Sequence, residues 1–226
     1  MSAQRWWLQV TFVSTIVSAG CGTTPSKYDY GLYREHMPRS ILVLPPLDRT
    51  PEAGAPYGWL ATVTRPLTER GYYVFPVAMV DAMMKENGLP TAGEMHDVSL
   101  AKIDEVFGAD AVLYVTLTDW GTRYNVIDSS TVVAMEARLV DVSSGAEIWR
   151  GERSTVASSN DGNQGGIAGM LAGALLNQLV TEVADPSRDL AARANFELFH
   201  DPGVGLLVGD YASATSAPAG PPAGAH

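Results

Sequence analysis

The sequence predicts an α/β fold: a single domain with a mixed sheet, a parallel βαβ centre, an antiparallel hairpin and helices packed on it. Three observations carry this reading. Apolar runs at residues 40–44 and 72–75 are each stopped by proline and are separated by residues with helical spacing, the order that gives parallel strands joined by a crossover helix. Residues 111–117 form the strongest strand in the chain, apolar at nearly every position and so suited to burial on both faces. Residues 131–156 then alternate about a Ser143-Ser144-Gly145 turn, as an antiparallel hairpin does.

The elements follow in order. The run Ser40 to Leu44 ends at Pro45 and Pro46, because proline cannot donate to a ladder. Leu60, Val63 and Leu67 share a helix face and Gly71 stops it, while Pro66 is expected to kink or divide that helix. After the strand at 72–75, Pro76 suits a helix start, Val80 with Met83 or Met84 makes its apolar face, and Gly88 ends it. A short helix from Ser99 turns Leu100, Ile103, Val106 and Phe107 inward and stops at Gly108. In the hairpin, Val133, Met135, Ala137 and Leu139 face the core, and Glu136 and Arg138 face out.

Flanking segments have a different composition. Residues 1–20 carry Arg5 and then a mostly apolar stretch at 6–17, the layout of a signal peptide. Twelve helical residues span roughly 18 Å, short of the ~30 Å hydrocarbon core. Ser18, Ala19 and Gly20 lead into Cys21, the only cysteine of the 226 residues. This resembles a bacterial lipobox, with Ser18 where leucine is usual, and makes Cys21 the candidate lipidation site. The alternative is ordinary secretory cleavage beside a free thiol, which would have no evident use in an oxidising compartment. Gly22 in place of Asp favours, by resemblance to sorted lipoproteins, the outer membrane. Residues 21–39 read as a tether, either a solvated linker with some of Tyr28, Tyr30 and Tyr33 resting on the domain or a docking peptide. Residues 40–211 are the single α/β domain, and 212–226, almost entirely Ala, Ser, Thr, Gly and Pro, are a disordered low-complexity tail.

Charge and motifs exclude several classes. With 15 Lys+Arg against 25 Asp+Glu, a formal charge of −10, nucleic acid is not an expected partner. One cysteine and four scattered histidines give neither a disulfide nor zinc spacing, so no metal is expected. No nucleophile elbow or zincin motif is present, so no catalytic residue is assigned and no cofactor is expected beyond covalent lipid on Cys21. Asp104 and Glu105 adjoin on a helix and read as a solvated face. Asp48 and Arg49 follow the first strand, at the carboxyl end where open α/β sheets bind ligands; they are a candidate interaction site, with plain loop chemistry the alternative. Gly165, Gly169 and Gly173 recur every four residues beside Ile167, Leu171, Leu175 and Leu179. Such a helix implies close backbone approach, to its own sheet, to a second copy or to a membrane.

Several motifs together resemble a known family: Pro38-Arg-Ser-Ile-Leu-Val-Leu-Pro-Pro46, Gly71-Tyr-Tyr-Val-Phe-Pro-Val77, Phe107-Gly-Ala-Asp110, Asp119-Trp-Gly121 and Ala137 to Gly145 with Ile148-Trp149. They are similar to the antigen-type outer-membrane lipoproteins of unknown function. That resemblance implies a domain like the α/β domains of the curli-secretion lipoprotein and of the TolB N-terminus. It also implies a lipid-anchored protein at the outer membrane, facing the periplasm, acting as a non-catalytic interaction or assembly module with other envelope proteins as partners. A subunit of a homo-oligomeric secretion-type assembly, joined through the glycine-rich helix, is the alternative.

Overall fold

Alternation along the central strands dictates two cores. In the computed structural model, which describes residues 28–124, 129–158 and 186–212, β4 (Ala111–Tyr124) runs through the middle of the sheet. Its Ala111, Leu113, Val115 and Leu117 point to one side, where α2 (Ala55–Glu69) and the C-terminal helix α6 (Pro186–His200) cover them. Val112 and Tyr114 point to the other, under α3 (Val77–Glu86), α4 (Ala92–His96) and α5 (Leu100–Phe107). An apolar run without alternation is thus explained by helices on both faces.

The six-stranded sheet has the order β3-β1-β4-β5-β6, with β2 (Leu47–Asp48) pairing parallel to β4 beyond the end of β1. β1 (Ser40–Val43) is parallel to both β3 (Tyr73–Val74) and β4. β4, β5 (Ser129–Asp141) and β6 (Glu147–Ser158) are antiparallel, with a register shift between Leu117 and Asp119. The fold class read from the sequence is therefore the one observed. Val133, Met135, Ala137 and Leu139 are buried under α2 and α6, and Glu136 and Arg138 lie on the uncovered part of the sheet.

Four details differ from the sequence expectation. Pro66 neither ends nor divides α2, which is one helix of 15 residues; so close to the C-terminus, a proline removes a single ladder bond, and its ring is buried. Residues 28–39, expected to belong to the tether, join the domain instead: α1 (Gly31–Glu35) buries Tyr33 completely, and Tyr30 donates from its hydroxyl to the Gly205 carbonyl at 2.6 Å. Val106 is exposed because α5 buries only Ile103 and turns Val106 toward a cleft. Helices α4 and α6 have no counterpart among the elements expected from the sequence. Both signals were present: Thr91 and Glu94 form a reciprocal capping box, and Leu190, Ala194 and Leu198 repeat every four residues on the buried face of α6. The glycine-rich stretch with Gly165, Gly169 and Gly173, as well as Cys21, lies outside the described residues. Among the described residues no helix is long and apolar enough to cross a membrane.

The turn between β5 and β6 is tied by Asp141. Its Oδ2 accepts from Ser144 Oγ at 2.6 Å, Ser143 Oγ at 2.7 Å and the Ser144 N–H at 2.8 Å, with His36 Nδ1 at 3.5 Å. Burial acts to raise its pKa, but these hydrogen bonds and the neighbouring His36 outweigh it and hold the carboxyl below its ordinary value. A depressed carboxyl contributes stability above its unfolded pKa, and that stability is lost as the pH falls through the folded value. Asp141→Asn should therefore lower stability by about 1 kcal/mol at neutral pH. The loss of stability between about pH 5 and pH 2 should also be shallower than in the parent. Unfolding midpoints measured across that range check it; parallel curves would refute the role given to Asp141.

Candidate functional site

A helix whose apolar stripe is wider than the surface it covers leaves part of that stripe in water. In α3, Val80 and Met84 pack with Leu42 of β1 and Leu44 just after it, while Met79 and Met83, one position earlier in each case, are 69% and 41% exposed. Val106 of α5 is 40% exposed across from them. Between these helices lies a cleft of about 430 Å³ walled by Met83, Met84, Leu89, Val98, Val106 and Phe107. Its polar lining residues are already engaged: Asn87 Nδ2 donates to the Met83 carbonyl at 2.7 Å, and Lys102 Nζ pairs with Glu105 at 2.9 Å. Such a surface can take up apolar side chains, and methionine, unbranched and polarizable, adapts to their shape. Helical spacing offers Met83 or Met84 as the face residue and carries no signal for a cleft, because the periodicity of a helix does not say where its cover ends.

The candidate pair Asp48 and Arg49 sits where it was expected, at the carboxyl end of the parallel strands, and both residues are exposed. Asp48 Oδ1 accepts the Thr50 N–H at 2.8 Å, and the Arg49 N–H donates to Leu117 O at 3.0 Å. These are turn and ladder bonds. The structure brings no other functional side chain to the pair among the described residues.

The histidines are dispersed. His96 Nε2 donates to the Pro45 carbonyl at 2.9 Å, and its ring meets Tyr114 edge-on at 5.2 Å. The Arg138 guanidinium lies over the other part of this stack, 4.2 Å from the Tyr114 centroid. Burial lowers the His96 pKa and raises that of Tyr114, so both are neutral at pH 7. A neutral imidazole whose Nε2–H is spent on a carbonyl pins α4 to the loop after β1. His200 stacks on Phe196 at 4.1 Å, and His36 sits beside Asp141.

A buried relay joins α1, Tyr72 at the entry to β3 and the closing segment 203–212. Tyr33 donates to the Tyr72 hydroxyl at 2.7 Å, and Tyr72 donates to Leu207 O at 2.6 Å. Burial raises both phenols, Tyr72 to about 12, so neither is a base at neutral pH. The relay clasps three segments together.

An open, mixed α/β sheet with helices on both faces and a methionine-lined cleft beside α3 and α5 defines the class of domain. The chain belongs to the family described as "Putative lipoprotein GNA1162-like", whose model matches residues 28–211. It is 42% identical over 171 residues to the "Putative lipoprotein NMB1124/NMB1162" of Neisseria meningitidis serogroup B, covering 76% of this chain and 79% of that one. The crystal structure of lipoprotein GNA1162 from Neisseria meningitidis is 47% identical. It covers 62% of this chain and 97% of the solved one, with a TM-score of 0.53. The PelC dodecamer from Paraburkholderia phytofirmans is more distant: 16% identical, over 70% of this chain and 86% of that one, with a TM-score of 0.41. The family resemblance read from the motifs between Pro38 and Trp149 is thus shown, and the match extends to α1 and the closing segment.

Proposed function

We propose that this protein is a lipid-anchored envelope protein that binds an apolar segment of another envelope protein and performs no catalysis of its own. The observation that carries the reading is the α3–α5 cleft: two exposed apolar side chains, Met83 and Val106, on a concave apolar lining, with its polar residues already engaged. Apolar area of this kind is costly to leave in water and marks binding surfaces. Membership of a lipoprotein family and the position of Cys21 after a signal-like stretch support the anchor. Gly22 supports an outer-membrane address, with the domain facing the periplasm.

The test is made on the full lipoprotein extracted in mild detergent. Met83→Glu combined with Val106→Glu places charge in the cleft at exposed positions, so the unfolding midpoint should stay within about 3 °C, as for two surface changes of under ~0.5 kcal/mol each. The parent should sediment with a second envelope protein, and the variant alone. An unchanged particle would remove the cleft from the interaction. A particle composed only of this chain and dissolved by Gly169→Leu would favour the homo-oligomeric assembly instead. A turnover activity abolished by Asp48→Ala or His96→Ala would overturn the non-catalytic reading.

A further inference from the structure

The described fold begins at Tyr28, only seven residues after Cys21. Tyr28 is already docked: its hydroxyl accepts the outward N–H of Arg150 on edge strand β6 at 2.8 Å, and its ring lies 4.6 Å from that of Tyr30. A fully extended chain spans at most about 3.3–3.6 Å per residue, so Cys21 can lie no more than about 25 Å from Tyr28. That is about the width of the sheet itself, five strands at ~4.8 Å spacing. Acyl chains on Cys21 would therefore keep Tyr28 within about 25 Å of the bilayer surface.

α1 and the closing segment carry exposed apolar side chains. Leu32 of α1 is 51% exposed, and Val204, Val208 and Tyr211 of the closing segment are exposed too. α1 and this segment are neighbours, joined by Tyr30 to Gly205 and by the Tyr33–Tyr72–Leu207 relay. With Met79 and Met83 of α3 and Val106 of α5, these residues account for most of the large exposed apolar side chains among the described residues. The two groups lie apart: Tyr33 of α1 and Leu206 of the closing segment pack into the core on the α2–α6 face of the sheet, and the cleft helices pack on the opposite face.

From this we infer that the surface formed by α1 and residues 203–211 docks on the phospholipid headgroups of the membrane that holds Cys21, and that the α3–α5 cleft is thereby presented away from that membrane. The inference rests on the lipid anchor proposed above. Net charge of −10 gives an anionic surface no general attraction for this domain, so the contact is made by aliphatic and tyrosine side chains, which suit the interface. Arg39, its guanidinium 5.7 Å from the Tyr211 ring centroid, is paired with Asp210 at 3.3 Å and so adds no net charge to this face.

The mature lipoprotein, with Cys21 blocked by its lipid, accepts a new cysteine as a unique labelling site. Leu32→Cys, Val208→Cys and Met79→Cys, each exposed, are labelled with an environment-sensitive fluorophore. The lipoproteins are then reconstituted in vesicles of phosphatidylethanolamine with a minor share of phosphatidylglycerol, carrying a headgroup-linked nitroxide quencher. The labels at 32 and 208 should shift to the blue and lose most of their emission, while the label at 79 keeps its emission. Equal emission at all three positions, or stronger quenching at 79, would overturn the docking. If only an added partner protein protected 32 and 208, the surface would be a protein interface and the inference would likewise fail. Mass analysis of the N-terminus reports acylation separately, so failure of the anchor is distinguished from failure of the docking face.

Discussion

Replacing Cys21 by serine should move the protein out of the acylated membrane fraction entirely. Lipoprotein acylation places a thioether on Sγ, and a serine hydroxyl is too weak a nucleophile at neutral pH to stand in for a thiol. Burial of an acyl chain contributes about 0.8 kcal/mol per CH₂, and more than one chain is needed for stable residence. The acidic domain offers no comparable electrostatic attraction to an anionic leaflet. Labelled fatty acid should therefore appear in the parent and be absent from Cys21→Ser, which should persist as unprocessed precursor or as soluble periplasmic protein. Equal membrane partitioning of both forms, with label in neither, would refute the anchor and, with it, the docking of α1.

The parts of the fold that were legible in the sequence are those whose side chains answer to one local period. β1, β4 and the β5–β6 hairpin show it, because Val133, Met135, Ala137 and Leu139 must all face the same layer. α1 shows none: five residues bury one side chain, and its bonds run from Tyr33 to Tyr72 and from Tyr30 to Gly205. No window of neighbouring residues contains that information. The candidate site divides in the same way. Asp48 and Arg49 could be placed from topology, since the carboxyl end of a parallel strand follows from strand order. The cleft could not, because Met83 and Met84 are equivalent to any helical pattern and only the width of the underlying layer decides which is buried. Gly71 was legible as the stop of α2, but its second role depends on a residue 138 positions later.

That second role leads to the largest loss of stability expected from a single methyl group. Gly71 has φ +94°, and a Cβ there would stand 2.5 Å from the Ala212 nitrogen, 2.6 Å from the Gly209 oxygen and 2.8 Å from the Ala212 Cβ. Two backbone bonds cross the same point, from the Gly209 N–H to Arg70 O at 2.9 Å and from the Tyr211 N–H to Gly71 O at 3.0 Å. Gly71→Ala incurs the left-handed conformational cost, ~1–2 kcal/mol. It also forces the closing segment away, losing two hydrogen bonds at ~1 kcal/mol each. A total of about 3–4 kcal/mol corresponds to a fall of roughly 10 °C in the unfolding midpoint of a domain this size. Two further variants separate the terms. Gly88 has φ +87° with nothing within 4 Å of a Cβ, so Gly88→Ala should show the conformational cost alone. Gly209 is not among the positive-φ glycines, yet its Cβ would press on the Gly71 carbonyl, with the Gly71 carbon at 2.8 Å, so Gly209→Ala should show the contact alone. The double variant Gly71→Ala with Gly209→Ala should cost less than the sum of the two, because one displacement of residues 209–212 relieves both clashes. Thermal unfolding of the four variants decides it: Gly71→Ala no worse than Gly88→Ala would mean that the closing segment gives way freely and does not lock the turn between α2 and β3.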